Sequence, residues 1–320
     1  MALSLTQLQN VVKHIVDSEP FLHTPEELYA PIEYSLRLGG KRLRPTMLLA
    51  ACQLFGGDIE AAHPAALAVE VFHNYTLVHD DLMDGSSLRR GKPTVFHRWN
   101  ENTALLSGDA MLIMAFKYLS APAVCRLLRM FSQMAIDVVR GQQYDMNFER
   151  RLDVSVDEYL DMIYLKTAVL FCGALRMGAT LADAPAADIE LLMQYGRNLG
   201  LAFQLQDDVL DTYGDENTFG KKTGQDISDN KKTMLLITAL ADANSDQRAA
   251  LHKLLASPKS DAKVEAVRAI YDCIGVRSKV EKLIGDYLRQ ADAALAAIHA
   301  TYEAKAPLRD LLQKLVGRHS

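Results

Sequence analysis

The chain has 320 residues, 49% of them hydrophobic, with 40 acidic side chains against 35 basic ones and a net charge of −5 at pH 7. That is ample apolar material for a large core, and the acidic balance, with no basic stripe along any predicted helix, excludes a general nucleic-acid binder. No Gly/Ser-rich or Pro-rich connector, low-complexity tract or charge block divides the chain, so a single domain over 1–320 is expected.

Helical periodicity runs almost throughout, and alternating Val/Ile/Thr runs bounded by turn pairs are missing, which sets the class as all-α. The first predicted helix, about 5–17, is amphipathic, and the N-terminus has neither the basic region nor the continuous apolar stretch of a signal peptide. Helices follow at about 25–38, 45–55 and 64–84, with Pro64 in the first turn of the last. The pattern continues at about 94–100, 103–119, 122–149 and 156–180, where Ser155 and Glu158 make a capping box. Further helices are predicted at about 186–213, 229–242, 246–256, 260–273 and 276–303, with a short last one at 307–316. Cys52, Cys125, Cys172 and Cys273 lack C-x-x-C spacing and are expected to be buried free thiols in a reducing cytoplasm. No uninterrupted apolar run reaches the length of a membrane span, so a soluble, cytoplasmic protein is expected.

Two of these helices end on the same acidic pattern, D-D-x-x-D, at Asp80, Asp81, Asp84 and at Asp207, Asp208, Asp211. Residues i, i+1 and i+4 fall on one side of a helix, so three carboxylates crowd together and repel. Gly85 and Gly214 follow as stop signals, placing both triplets in last turns, where the helix dipole is already negative. A cation must offset that cost. Carboxylates are hard ligands, and magnesium takes one or two of them while phosphate oxygens and water fill its octahedron. The long apolar runs before each triplet argue against a solvated helix end.

Basic groups accompany the acids. Arg89 and Arg90 lie just beyond Asp84, and a second knot holds Lys41 and Arg44 beside Gly39 and Gly40; guanidinium forks suit phosphate, although either knot alone would read as surface charge. Lys166 interrupts an apolar helix next to Thr167 and must snorkel out, pair with a charge or meet a ligand. Gln204 lies three residues before Asp207. His73 lies seven before Asp80, on its face, where a lone histidine is most often a satisfied core residue. The segment from Gly214 to Lys232 is the largest polar, glycine-containing interruption, and Lys221, Lys222 and Lys231 would let it close over phosphate.

Taken together, GGKRLRP, HDDLMDGSSLRRGKPT, RGQQYD, KT, FQLQDDVLD and FGKKTGQDISDNK resemble the trans-isoprenyl diphosphate synthases over about residues 39–232. The resemblance implies a single-domain helical bundle around a deep central cavity, usually a homodimer, which condenses an allylic diphosphate with isopentenyl diphosphate using three Mg²⁺ per active site. It would make Asp80, Asp84 and Asp207 metal ligands, with Asp81, Asp208 and Asp211 close around the ions and their waters. Arg89, Lys166, Lys221 or Lys222, and Lys231 would hold the allylic diphosphate. Lys41, Arg44, His73 and Arg90 match the isopentenyl diphosphate site, Gln142 and Asp145 a support near the first triplet, and Thr167 and Gln204 the polar groups beside the developing cation. Some members add a C-terminal arginine, for which Arg318 is the candidate.

Product length should follow from the helix beneath Asp80. Thr76, Tyr75 and Phe72 lie four, five and eight residues deeper, roughly 6, 7.5 and 12 Å at the helical rise. Thr76 is small and on the Asp80 face, so it should not stop a growing tail. A bulky residue at the fifth position goes, by the same resemblance, with products of fifteen to twenty carbons, which favours geranylgeranyl diphosphate. A terpene cyclase would also ionise an allylic diphosphate but has no use for a second basic diphosphate site. A metal phosphohydrolase built on His79 and Asp80 is another reading, and an inactive regulatory subunit would be expected to lose acidic ligands that this chain keeps.

Overall fold

The computed structural model describes residues 2–214 and 223–316. Its elements are α1 (Leu5–Ser18), α2 (Glu26–Arg37), α3 (Leu43–Leu54), α4 (His63–Met83), a hairpin of β1 (Leu88–Arg89) and β2 (Lys92–Pro93), α5 (Val95–Arg98), α6 (Glu101–Leu119) and α7 (Leu128–Phe148). Then come α8 (Val156–Ile163), a π-helical turn (Tyr164–Ala168), α9 (Val169–Leu181), α10 (Ala186–Tyr213), α11 (Gln225–Ser228), α12 (Met234–Asp242), α13 (Ser245–Leu255), α14 (Asp261–Ile274), α15 (Val276–Ala297) and α16 (Tyr302–Val316). The all-α expectation holds.

The chain forms two compact units, one of Met1–Gln133, Phe171–Met193 and Leu295–Ser320, the other of Met134–Leu170 and Gln194–Ala294. In the first, α4 is the central helix, with α1, α2, α3, α5 and α6 packed on it. Every residue from Ala65 to Phe72 is buried, the pattern of a helix surrounded on all sides. Pro64 sits at its start, where a missing N–H costs nothing. In the second unit α14 packs against α11, α12 and α13, and α12 against α8. The predicted capping box opens α8: Ser155 Oγ accepts from Glu158 N at 3.2 Å, and Glu158 Oε2 from Ser155 N at 2.9 Å.

Several expectations need correction. The hairpin was not expected, because two-residue strands leave no alternation to read. The helix placed at about 122 begins at Leu128, after a 3₁₀ turn at Cys125–Leu127. The helix placed at 229–242 begins only at Met234: Asn230 at φ +58° interrupts the chain after α11, and Thr233 caps α12 through Leu236 N. The long helix to 303 stops at Ala297. Cys52 and Cys172 are buried free thiols, but Cys125 and Cys273 are exposed. The run Val156–Leu181 is apolar and long enough to cross a membrane, against the expectation that none would be; 78% of its most apolar window is buried inside the fold, so its hydropathy serves the core.

Candidate active site

The first acidic triplet lies where it was expected. Asp80 and Asp81 fall in the last turn of α4 and Asp84 caps it; Gly85, at φ +64°, donates to the Leu82 carbonyl at 3.3 Å and Ser86 to that of Asp81 at 2.9 Å, a Schellman stop. Asp81 is 4% exposed. Its oxygens take Arg89 Nε at 2.8 and 2.7 Å and Nη2 at 2.6 Å. Burial alone would draw the Arg89 pKa down, but the hydrogen bond to Asp81 and the charges of Asp81, Asp80 and Asp84 more than offset it, so it moves up.

One turn and more down the same helix is the basic group. Arg44, in the first turn of α3, approaches His73 Nε2 through Nη1 at 3.1 Å, and its Cζ lies 4.9 Å from the Phe171 ring centroid. Arginine has no acceptor, so Nε2 must accept and the imidazole proton sits on Nδ1. Burial, then the charges of Arg44, Arg90 and Arg89, hold the His73 pKa well below the usual histidine range. Arg90 occupies the hairpin turn, its guanidinium over Gly40: a Cβ there would come within 2.6 Å of Arg90 Cζ. Lys41 is exposed just beyond. Phe72 is fully buried, 5.5 Å from Tyr75 and 5.3 Å from Phe131 between ring centroids. Thr76 Oγ1 donates to the His73 carbonyl at 2.8 Å. His79 Nε2 lies 3.1 Å from the Leu105 carbonyl, to which it must donate, so this nitrogen serves the fold and the phosphohydrolase reading loses its histidine ligand there.

In the second unit the acidic triplet sits slightly deeper than expected: α10 ends at Tyr213, so Asp211 is in the last turn and Asp207 and Asp208 are a turn earlier. Asp208 is 4% exposed and held by neutral donors. Tyr159 donates its hydroxyl to Oδ2, Gln204 Nε2 donates to Oδ1 at 3.2 Å, and Thr167 Oγ1 donates to Gln204 Oε1 at 2.9 Å. Burial, with Asp207 adding, pushes the Asp208 carboxyl up to about 7. Asp211 Oδ2 accepts Asp226 N at 2.9 Å at the start of α11.

Lys166 falls within the π turn, a wide turn often found at functional sites. It resolves its three sequence options by pairing: Nζ is 2.5 Å from Asp145 Oδ2, while Lys231 Nζ lies 3.9 Å from the same oxygen and 3.5 Å from Glu149 Oε1. Gly141 makes this approach possible, because a Cβ there would overlap the Lys166 backbone nitrogen. Among the described residues the buried Oε1 of Gln142 finds no hydrogen-bond partner. Lys221, Lys222 and Arg318 lie outside the described residues.

A family model described as polyprenyl synthetase matches residues 25–274. The chain belongs to the polyprenyl synthetase family. The geranylgeranyl diphosphate synthase of Methanosarcina mazei is 38% identical over 303 residues, 92% of this chain and 90% of that one. Among solved structures, a geranylgeranyl pyrophosphate synthase matches with a TM-score of 0.93 at 41% identity, over 99% of this chain and 100% of that one. A polyprenyl synthase from Caulobacter crescentus, complexed with calcium and isoprenyl diphosphate, matches with 0.90 at 31% identity, over 100% and 99%. The expected class, an all-α trans-prenyltransferase, is that of the family.

In this polyprenyl synthetase the middle aspartate of each triplet is claimed by protein groups, Asp81 by Arg89 and Asp208 by Tyr159 and Gln204. Asp211 is engaged as well, by Asp226 N. Among the described residues no three ligating side chains form a ready-made metal cage. Carboxylates are hard ligands of the kind Mg²⁺ takes in small number, with water and phosphate oxygens completing its shell. Two contributors were not singled out in the sequence. Tyr159 looks like one more core aromatic. Asp226 stands inside the quoted GQDISDNK motif, and burial, then Asp211 and Asp208, raise its pKa well above the usual carboxylate range.

Proposed function

We propose that this protein condenses an allylic diphosphate with isopentenyl diphosphate to a trans-prenyl diphosphate of fifteen to twenty carbons, with geranylgeranyl diphosphate the favoured product. The observation that carries the reading is the assembly of Arg44, neutral His73 and Arg90 in the unit that also holds Asp80 and Asp84. An enzyme that only ionises one diphosphate, such as a terpene cyclase, has no use for that second basic group.

Asp80, Asp84 and Asp207 would hold Mg²⁺, three ions in all, with Asp81, Asp208 and Asp211 around them. Bound Mg²⁺ supplies charge neutralisation of the departing diphosphate. Arg89, Lys166 and Lys231, with Lys221 or Lys222, bind that diphosphate and stabilise the charge it gains as the C–O bond breaks. Asp145 keeps the Lys166 and Lys231 ammonium groups together before substrate arrives. Lys41, Arg44 and Arg90 hold isopentenyl diphosphate; His73, accepting from Arg44, fixes that guanidinium without adding charge. Thr167 and Gln204 stand beside the allylic cation. The isopentenyl double bond attacks it, and the proton lost leaves with the released diphosphate. Phe72, Tyr75 and Thr76 set the depth open to the tail.

The same reading takes the enzyme as a cytoplasmic homodimer. α6 carries Leu105, Leu106 and Ile113 at 50%, 61% and 70% exposure, an apolar stripe suited to a second copy. The test is incubation with Mg²⁺, isopentenyl diphosphate and dimethylallyl, geranyl or farnesyl diphosphate, then product sizing, with a chelator control. A C20 product that vanishes on chelation is expected. Hydrocarbon or phosphate release without isopentenyl diphosphate would overturn the reading.

A further inference from the structure

The hairpin that carries Arg89 and Arg90 is too small to hold itself. Leu88 pairs with Pro93 and Arg89 with Lys92, and two-stranded ribbons of ordinary length are already marginal alone. Its turn is the mirror-image type that two-residue hairpins use, with Arg90 at φ +52° and Gly91 at φ +73°. For Arg90 this conformation is strained, and such strain persists only where neighbours over-determine it.

Two anchors do so. On the first strand Arg89 grips Asp81. On the second, Tyr34 of α2 donates its hydroxyl to the Pro93 carbonyl at 2.7 Å. The Tyr34 ring is itself fixed: Arg98 Cζ lies 4.3 Å from its centroid and 4.7 Å from that of Trp99, and Trp99 meets Tyr34 edge-on at 5.3 Å. Thr94 N closes the base of the ribbon on the Ser87 carbonyl at 3.0 Å. A few residues beyond Tyr34 the chain passes Gly40, over which the Arg90 guanidinium lies. The segment that pegs the base of the ribbon therefore also supplies the surface under its tip.

We infer that Tyr34 is a positioning residue for isopentenyl diphosphate: through Pro93 it fixes the ribbon so that Arg90 reaches that substrate. The inference rests on the role proposed above for Arg90. Arg89, clamped on Asp81, keeps its place without Tyr34, so the effect is confined to one of the two diphosphates.

Wild type, Tyr34→Phe, Arg90→Ala and the double variant, all full-length, are titrated calorimetrically with isopentenyl diphosphate and assayed for kcat and both KM values. Tyr34→Phe retains the ring and its stacking and loses only the hydroxyl. About fivefold weaker isopentenyl diphosphate binding is expected, the worth of one neutral hydrogen bond, with kcat and the allylic KM within about twofold. Added to Arg90→Ala it should cost nothing further, because Tyr34 acts through Arg90. Wild-type binding by Tyr34→Phe, an equal rise in both KM values, or full additivity with Arg90→Ala overturns the role of Tyr34 and leaves the condensation reading standing. A wild type that neither binds isopentenyl diphosphate nor condenses it overturns both.

Discussion

Arg89 and Asp81 form a nearly closed ion pair, with three nitrogen–oxygen distances of 2.6 to 2.8 Å and only 25% and 5% of the two side chains exposed. Lysine can supply the charge but not the fork. Arg89→Lys should therefore lower kcat/KM by roughly ten- to a hundredfold, the worth of one charge-assisted hydrogen bond, with the allylic KM raised more than the isopentenyl KM. Steady-state kinetics in both substrates check this; equal changes in the two KM values would count against it.

His73 should stay neutral in the folded protein. Its folded pKa lies below the unfolded value of 6.5, so the unfolded chain binds the extra proton and stability is lost as pH falls below 6.5. His73→Gln, which still offers Arg44 an uncharged acceptor, should remove that contribution. Urea midpoints at about pH 7.5 and 5.5 should separate further for wild type than for the variant, with isopentenyl diphosphate KM within about threefold at the higher pH. A wild-type drop no larger than the variant's would show that His73 is not held neutral.

Gly141→Ala places a methyl group against the backbone of the π turn. Overpacking of this kind costs about 1–3 kcal/mol, and here it also pushes Lys166 from Asp145. Thermal melts should fall by a few degrees and kcat/KM should fall with them. Loss of stability with full activity would separate the π turn from the chemistry.

In the proposed reading Tyr75 and Thr76 would set the tail depth from opposite directions. Tyr75→Ala should lengthen the products and Thr76→Phe should shorten them, as read by chromatography of the dephosphorylated alcohols. An unchanged distribution in Tyr75→Ala would remove Tyr75 as the floor.

What could be read from the sequence was local. The acidic ends of α4 and α10, Pro64 in its first turn and the Ser155–Glu158 box all depend on residues within a turn of one another. Tyr159 and Asp208 are 49 positions apart, and a tyrosine in an apolar helix carries no sign that its hydroxyl ends on a carboxylate. The hairpin escaped for a different reason: its strands are shorter than the period that would reveal them. Lys166 was recognised as out of place, but its partner came from another helix, 21 positions away.

The wide turn at Tyr164–Ala168 holds one residue more than an ordinary turn would. A relative lacking one residue between Ile163 and Val169 could keep both flanking helices, yet its lysine would emerge about 100° further round the axis. A single gap in an alignment at this point would thus redirect the ammonium group without any substitution, and such gaps merit attention before the side chains around them are compared.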